Sequence, residues 1–139
     1  MKKLLWGFLL IAFSLVLSQR AQAQVVVIAN RSVKTAEVSK DELRDVFTGN
    51  SSTLSGSHVL PVLLNDCATH EEFLSQYIGK TDAGFRAGWR SLLFSGQANM
   101  PKGVSSESAV LDYVAATPGA IGYVDKAIAQ DRVKILRVK

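Results

Sequence analysis

Residues 117–124 read TPGAIGYV. Thr117, Pro118 and Gly119 stop a helix, because a proline has no amide hydrogen and cannot continue one. Residues 120–124 (AIGYV) then form an apolar strand. Upstream, Ser105 or Ser106 caps the helix that this stop ends, and Ala109, Val110, Tyr113 and Val114 form its buried stripe. Downstream, residues 125–130 read as one or two helical turns and residues 133–138 (VKILRV) as a final strand. Helix, stop and apolar strand in direct succession is the grammar of an α/β domain.

The rest of the chain repeats that grammar. Val25–Ala29 (VVVIA) is β-branched and fully apolar, which predicts a strand buried on both faces. Ser39 and Glu42 form a capping box before a helix with Leu43, Val46 and Phe47 on one face, and Gly49 closes it. Residues 50–57, rich in Ser, Thr, Gly and Asn, read as a loop. Residues 59–64 (VLPVLL) are a second apolar strand, in which Pro61 predicts an edge position or a strand end. Thr69 and Glu72 form a second capping box, opening a helix with Phe73, Tyr77 and Ile78 that ends at Gly79. Thr81 or Asp82 caps a third helix, whose Phe85, Trp89, Leu92 and Leu93 face the core. Residues 94–104 (FSGQANMPKGV) read as a loop. No repeat, low-complexity tract or long linker interrupts this order, so it predicts one α/β domain of two or three layers.

The chain has 139 residues and a formal net charge of +4, with 16 basic and 12 acidic residues. Lys2 and Lys3, an apolar run over residues 4–17 and small residues at Ala21 and Ala23 make the three-part pattern of a signal peptide, expected to be cut after Ala23. The run falls short of the roughly 20 residues a bilayer span needs, so no stable membrane insertion is expected after cleavage. That assigns residues 1–23 to the signal peptide and residues 24–139 to the domain, and places the product in the periplasm or outside the cell. The cut removes Lys2, Lys3 and Arg20, leaving 13 basic against 12 acidic residues, a net of +1. No basic run remains to neutralise a row of phosphates, so nucleic acid is not an expected partner. Cys67 is the single cysteine and cannot form an internal disulfide; it reads as a small, part-buried apolar residue.

The motifs argue against an enzyme. Gly79, Lys80 and Thr81 resemble the end of a phosphate-binding loop, but its first glycine would fall on Leu74. His70 and Glu71 start like a zinc-protease helix, but the second histidine would also fall on Leu74. Two histidines and one cysteine build no metal site of usual spacing, and there is no Gly-x-Ser-x-Gly elbow. No catalytic residue, metal or cofactor is assigned. One segment suits a ligand: Asn65, Asp66, Cys67, Ala68, Thr69 and His70 link the second strand to its helix. In open α/β sheets ligands gather at the carboxyl ends of strands, and a helix amino terminus offers free amides and partial positive charge to an anion. The same geometry also suits plain capping of a structural helix. Arg86 and Arg90, four residues apart, supply charge only if their helix lies near this loop.

Residues 39–49 (SKDELRDVFTG), Pro61 with Val62, Phe73, Trp89 with Phe94, Ser95 and Gly96, and above all TPGAIGYV resemble the phosphate-binding-protein family of ABC transporters, periplasmic solute-binding proteins. The resemblance runs from about Val25 to Val138. It implies a single periplasmic-binding-protein-like lobe, a mixed sheet of about four strands flanked by about four helices. Full members are about twice as long and close two lobes on the ligand; this chain looks like the short, single-domain branch. In full members the phosphate loop carries an Arg, then four residues later Ser-Gly-Thr, then a Phe. Aligned on Phe73, those positions hold Leu63, Cys67, Ala68 and Thr69, so only the Thr is kept. The resemblance implies phosphate or a similar small oxyanion as ligand, bound by the Thr69 hydroxyl and the amides of residues 67–70, with an envelope transporter or a second protein lobe as partner. The missing Arg and second lobe support an alternative, an interaction module of the cell envelope that kept the fold without the ligand.

Overall fold

The computed structural model describes residues 24–139; the expected signal peptide lies outside them. Strand β1 is Val25–Ala29, with four of five side chains buried. The two-residue strand β2, Glu37–Val38, leads to helix α1, Lys40–Phe47, where the Ser39 hydroxyl accepts from the Glu42 amide and Leu43, Val46 and Phe47 are buried. Gly49 follows with φ +82°, a conformation that favours glycine, and a Cβ there would also have to displace a Leu92 methyl 2.5 Å away. Residues 50–57 are not all loop. Strands β3, Thr53–Leu54, and β4, Ser57–His58, form a hairpin whose tip, Ser55 and Gly56, takes the two positive φ angles of a tight two-residue turn.

Strand β5 is Leu60–Leu64. Helix α2, Ala68–Phe73, continues into one wide π-type turn, Leu74–Ile78, and Gly79 ends it at φ +73°. Helix α3, Asp82–Phe94, is capped by the Thr81 hydroxyl. Strand β6, Lys102–Val104, lies in the stretch expected as loop. Ser106 caps helix α4, Glu107–Ala116, and strand β7, Ala120–Asp125, follows directly. A single 3-10 turn, Lys126–Ile128, precedes strand β8, Lys134–Val138.

Six strands form one mixed sheet in the order β2-β8-β1-β7-β5-β6. Strand β1 runs antiparallel to β7 and β8, whereas β5 is parallel to both β7 and β6. The expected strands are its centre; the two further ones, β2 and β6, are short edge strands. Strand β5 lies inside the sheet, so Pro61 marks the strand end, one residue in from the start of β5, and not an edge. The Leu60 amide points to β7, donating to Gly119 O (2.9 Å), and alternation turns position 61 toward β6. Pairing with β6 begins only at Val62, so the missing amide hydrogen of Pro61 leaves no gap in the ladder.

Neighbouring residues of β7 face opposite layers. Gly122 faces α4, and a Cβ there would meet a Val110 methyl at 2.8 Å; its absence lets α4 lie close on the sheet. Tyr123 faces the other way, stacked on Phe73 of α2 and edge-on to Phe47 of α1. Helix α3 joins that side through the Trp89 indole N–H, which donates to Phe47 O (2.9 Å). The domain therefore has three layers, α4 against the sheet against α1, α2 and α3. Two expected faces shift. Leu111 is buried in α4 while Ala109 and Tyr113 are only half-buried, and Leu93 is 46% exposed because the end of α3 projects past the core.

Candidate functional site

Because β5, β6 and β7 are parallel, their carboxyl ends share one edge of the sheet. The predicted segment leaves β5 at this edge. The Asn65 amide donates to Val104 O at the end of β6 (2.9 Å), which fixes where the loop departs. Asn65, Asp66, Cys67 and Ala68 are exposed, whereas Thr69 and His70 are buried; Cys67 is thus not part-buried as expected, because it stands in the loop ahead of the helix and outside the core. The second capping box does not form: the N-cap is Cys67, two residues earlier, and Thr69 lies inside the first turn. Cys67 makes no side-chain capping bond, and the first helical hydrogen bond runs from the Glu71 amide to Cys67 O (3.0 Å). The amides of Ala68, Thr69 and His70 precede that bond and have no acceptor within the helix, leaving a cluster of donors at its positive end.

Under this loop lies a chain of polar side chains that sequence reading did not find. The Tyr123 hydroxyl accepts from the Leu64 amide (3.0 Å) and donates to His70 Nδ1 (2.6 Å). His70 Nε2–H donates to Asp82 Oδ1 (2.7 Å), and Arg86 Nε donates to both Asp82 oxygens (3.0 Å each). This placement of protons gives every group a partner. The Leu64 amide needs Tyr123 because β5 and β7 pair only at Leu60 and Pro61. Burial pushes the Tyr123 phenol upward, so the hydroxyl keeps its proton at any physiological pH. Arg86 thus lies near the predicted loop, but its Nε is committed to Asp82; Arg90 is exposed. Locally, the visible signs were an i, i+4 pair at Asp82 and Arg86 and a tyrosine in an apolar strand, which needs a hydroxyl partner when buried.

Burial acts to raise the Asp82 carboxyl, but hydrogen bonds from His70 and Arg86 and the charge of Arg86 outweigh it and hold Asp82 below its ordinary value. A carboxylate depressed in the folded state adds stability that is present above its unfolded value, 3.8, and is lost as pH falls through the lower folded value. Asp82→Asn is therefore expected to lower the urea midpoint at pH 7 and to flatten the fall in stability below about pH 4. A mutant curve parallel to wild type down to pH 3 would remove Asp82 from the acid response.

At the opposite end of the sheet, where β5 and β6 begin, a cleft of about 700 Å³ opens between the β3–β4 hairpin and the loop before β6. None of residues 65–70 lines it. Among the described residues, no group of three His, Cys, Asp or Glu side chains is placed to hold a metal ion, and no helix is long and apolar enough to cross a membrane.

No protein-family model matches the chain, and no curated protein matches it. Solved structures do. An ABC-type phosphate transport receptor from Vibrio cholerae superposes with a TM-score of 0.66 at 15% identity, covering 84% of this chain and 46% of its own. A protein described as a phosphate ABC transporter substrate-binding protein from Clostridium perfringens, solved with bound phosphate, gives 0.67 at 14% identity, covering 84% and 45%. PstS from Borrelia burgdorferi gives 0.60 at 14%, covering 84% and 47%. The chain thus spans about half the length of these proteins and shares the fold of that half, as the sequence resemblance implied.

Proposed function

We propose that the chain is an exported solute-binding lobe that takes phosphate or a similar small oxyanion at the start of α2. The observation that carries this reading is the uncapped helix start at the carboxyl edge of the sheet, where three amides lack a helical acceptor and Cys67 supplies none. Asn65 and Asp66 shape the loop, and the amides of Cys67, Ala68, Thr69 and His70 with the Thr69 hydroxyl are the donors. The fold shared with phosphate transport receptors supports the choice of anion. One lobe cannot close on a ligand by itself, so an envelope transporter or a second lobe completes the site.

Calorimetry of the purified protein with phosphate, sulfate and an organic acid tests this reading. Saturable heat is expected for at least one of them, with an affinity about tenfold weaker in Thr69→Val, the loss of one hydrogen bond to a charged group. No heat and no rise in melting temperature with any of the three would sink the proposal.

Two observations favour a second reading, an interaction module of the cell envelope that keeps the fold without the ligand. Leu63, at the position where the resemblance places the anion-clamping Arg, is buried in the core. Leu93 and Phe94 are 46% and 87% exposed at the end of α3, an apolar surface of the kind that partners cover. Light scattering with and without phosphate separates the two: self-association or docking indifferent to phosphate belongs to the module, and phosphate binding by the monomer, or association that depends on phosphate, belongs to the solute-binding lobe.

A further inference from the structure

We propose that the cleft at the amino ends of β5 and β6 is a second binding site, for an organic anion whose apolar body is one or two rings in size. Two observations converge there. The first is apolar surface left open to water: Leu60 and Met100 are 38% and 49% exposed, two of the five large apolar side chains exposed among the described residues, and both line this cleft. Half-buried Tyr113 adds ring surface, and Trp89, 5% exposed, forms the floor. The Trp89 indole N–H is already used on Phe47 O, so this floor offers a ligand no hydrogen-bond donor. Alongside the polar side chains of Asn50, Ser51, Ser52, His58, Gln97 and Asn99, this apolar part of the lining rewards a ligand that displaces water from it.

The second observation is charge. Lys102 lines the cleft, and no Asp or Glu does. The Lys102 ammonium lies 5.9 Å from the centre of the Tyr113 ring, at the outer limit of a cation–π contact, and makes no ion pair with any described residue. An ammonium on a wall of mixed apolar and neutral polar side chains, with His58 as the other basic group of the lining and no carboxylate in it, selects an anion over a cation and over a neutral ligand of the same shape. The volume, about 700 Å³, is in the range of small-molecule sites. This site is separate from the start of α2: it lies at the other edge of the sheet and shares no residue with it.

Naphthoate and its neutral isostere naphthamide test the inference, titrated into the purified protein and followed by amide shifts in NMR spectra. Naphthoate is expected to saturate one site with shifts centred on Met100, Lys102 and Tyr113. Naphthamide is expected to bind about tenfold more weakly, the effect of losing one charge-assisted contact, and Lys102→Gln to erase that difference. Inorganic phosphate, which has no apolar body, should not displace naphthoate. Equal affinity for acid and amide, shifts centred on residues 65–70, unchanged discrimination in Lys102→Gln, displacement by phosphate, or no saturable binding would each overturn it. Lys102 is exposed on a short edge strand, so its substitution tests the cleft without testing the fold.

Discussion

Phe73→Ala is expected to lose about 3–5 kcal/mol of folding stability, the range for emptying a buried phenylalanine site. Phe73 has no exposed surface. Its ring lies flat on Tyr123 at 3.8 Å between centroids and edge-on to Phe47 at 4.9 Å, so it joins α2, β7 and α1 at one point. Three elements held by separate backbone contacts cannot all move in to fill the gap, which places the cost toward the upper end. For a domain of this size the whole stability is about 5–15 kcal/mol, so the melting temperature should fall by roughly 10–20 °C. Phe73→Leu, which keeps most of the volume, should lose less than half as much. Equal losses in the two variants would mean that ring stacking, and not filled space, is what the site requires.

Tyr123→Phe is expected to lose about 2–4 kcal/mol although it removes a single oxygen atom. The hydroxyl serves two buried groups at once, the Leu64 amide and His70 Nδ1. Each group left without a partner costs about 1–3 kcal/mol. The ring, its stacking on Phe73 and the buried apolar area all stay, so the effect isolates the polar chain. It is read as a shift of the urea midpoint at constant slope. A loss under about 1 kcal/mol would mean that another donor or a water molecule takes over both groups. Together the two variants separate the apolar and polar contributions of one stack of side chains.

The legible part of the fold was the part written in local pattern. VVVIA and AIGYV are apolar without interruption because both strands lie inside the sheet, and Ser39, Thr81 and Ser106 were visible as caps because a cap needs only its own next turn. What failed locally was set by partners far along the chain. Lys102–Val104 has neither alternation nor strand composition; it is a strand because β5 runs beside it. The β3–β4 hairpin is polar and turns on Ser55 and Gly56. Leu93 obeys the helical period but lies where α3 has outrun the core. The candidate site divides in the same way. Its place at the β5–α2 junction followed from topology, but the true N-cap did not, because Cys67 caps through backbone geometry alone. The Tyr123–His70–Asp82–Arg86 chain joins residues up to 53 positions apart, and only its Asp82–Arg86 end falls within one window of sequence.

The position of β1 has a consequence for how the chain comes to be folded. This strand is hydrogen-bonded on both sides to the last two strands, with Val25 opposite Asp125 and Val27 opposite Leu136. Nothing made in between can pair with it. In the unfolded chain VVVIA therefore stays unpaired until residues 120–138 come back to it, about 90 to 110 positions along the chain. Closing so long a loop makes this pairing a late step of folding, and until it forms the unfolded chain keeps an apolar, β-branched segment open to other unfolded protein.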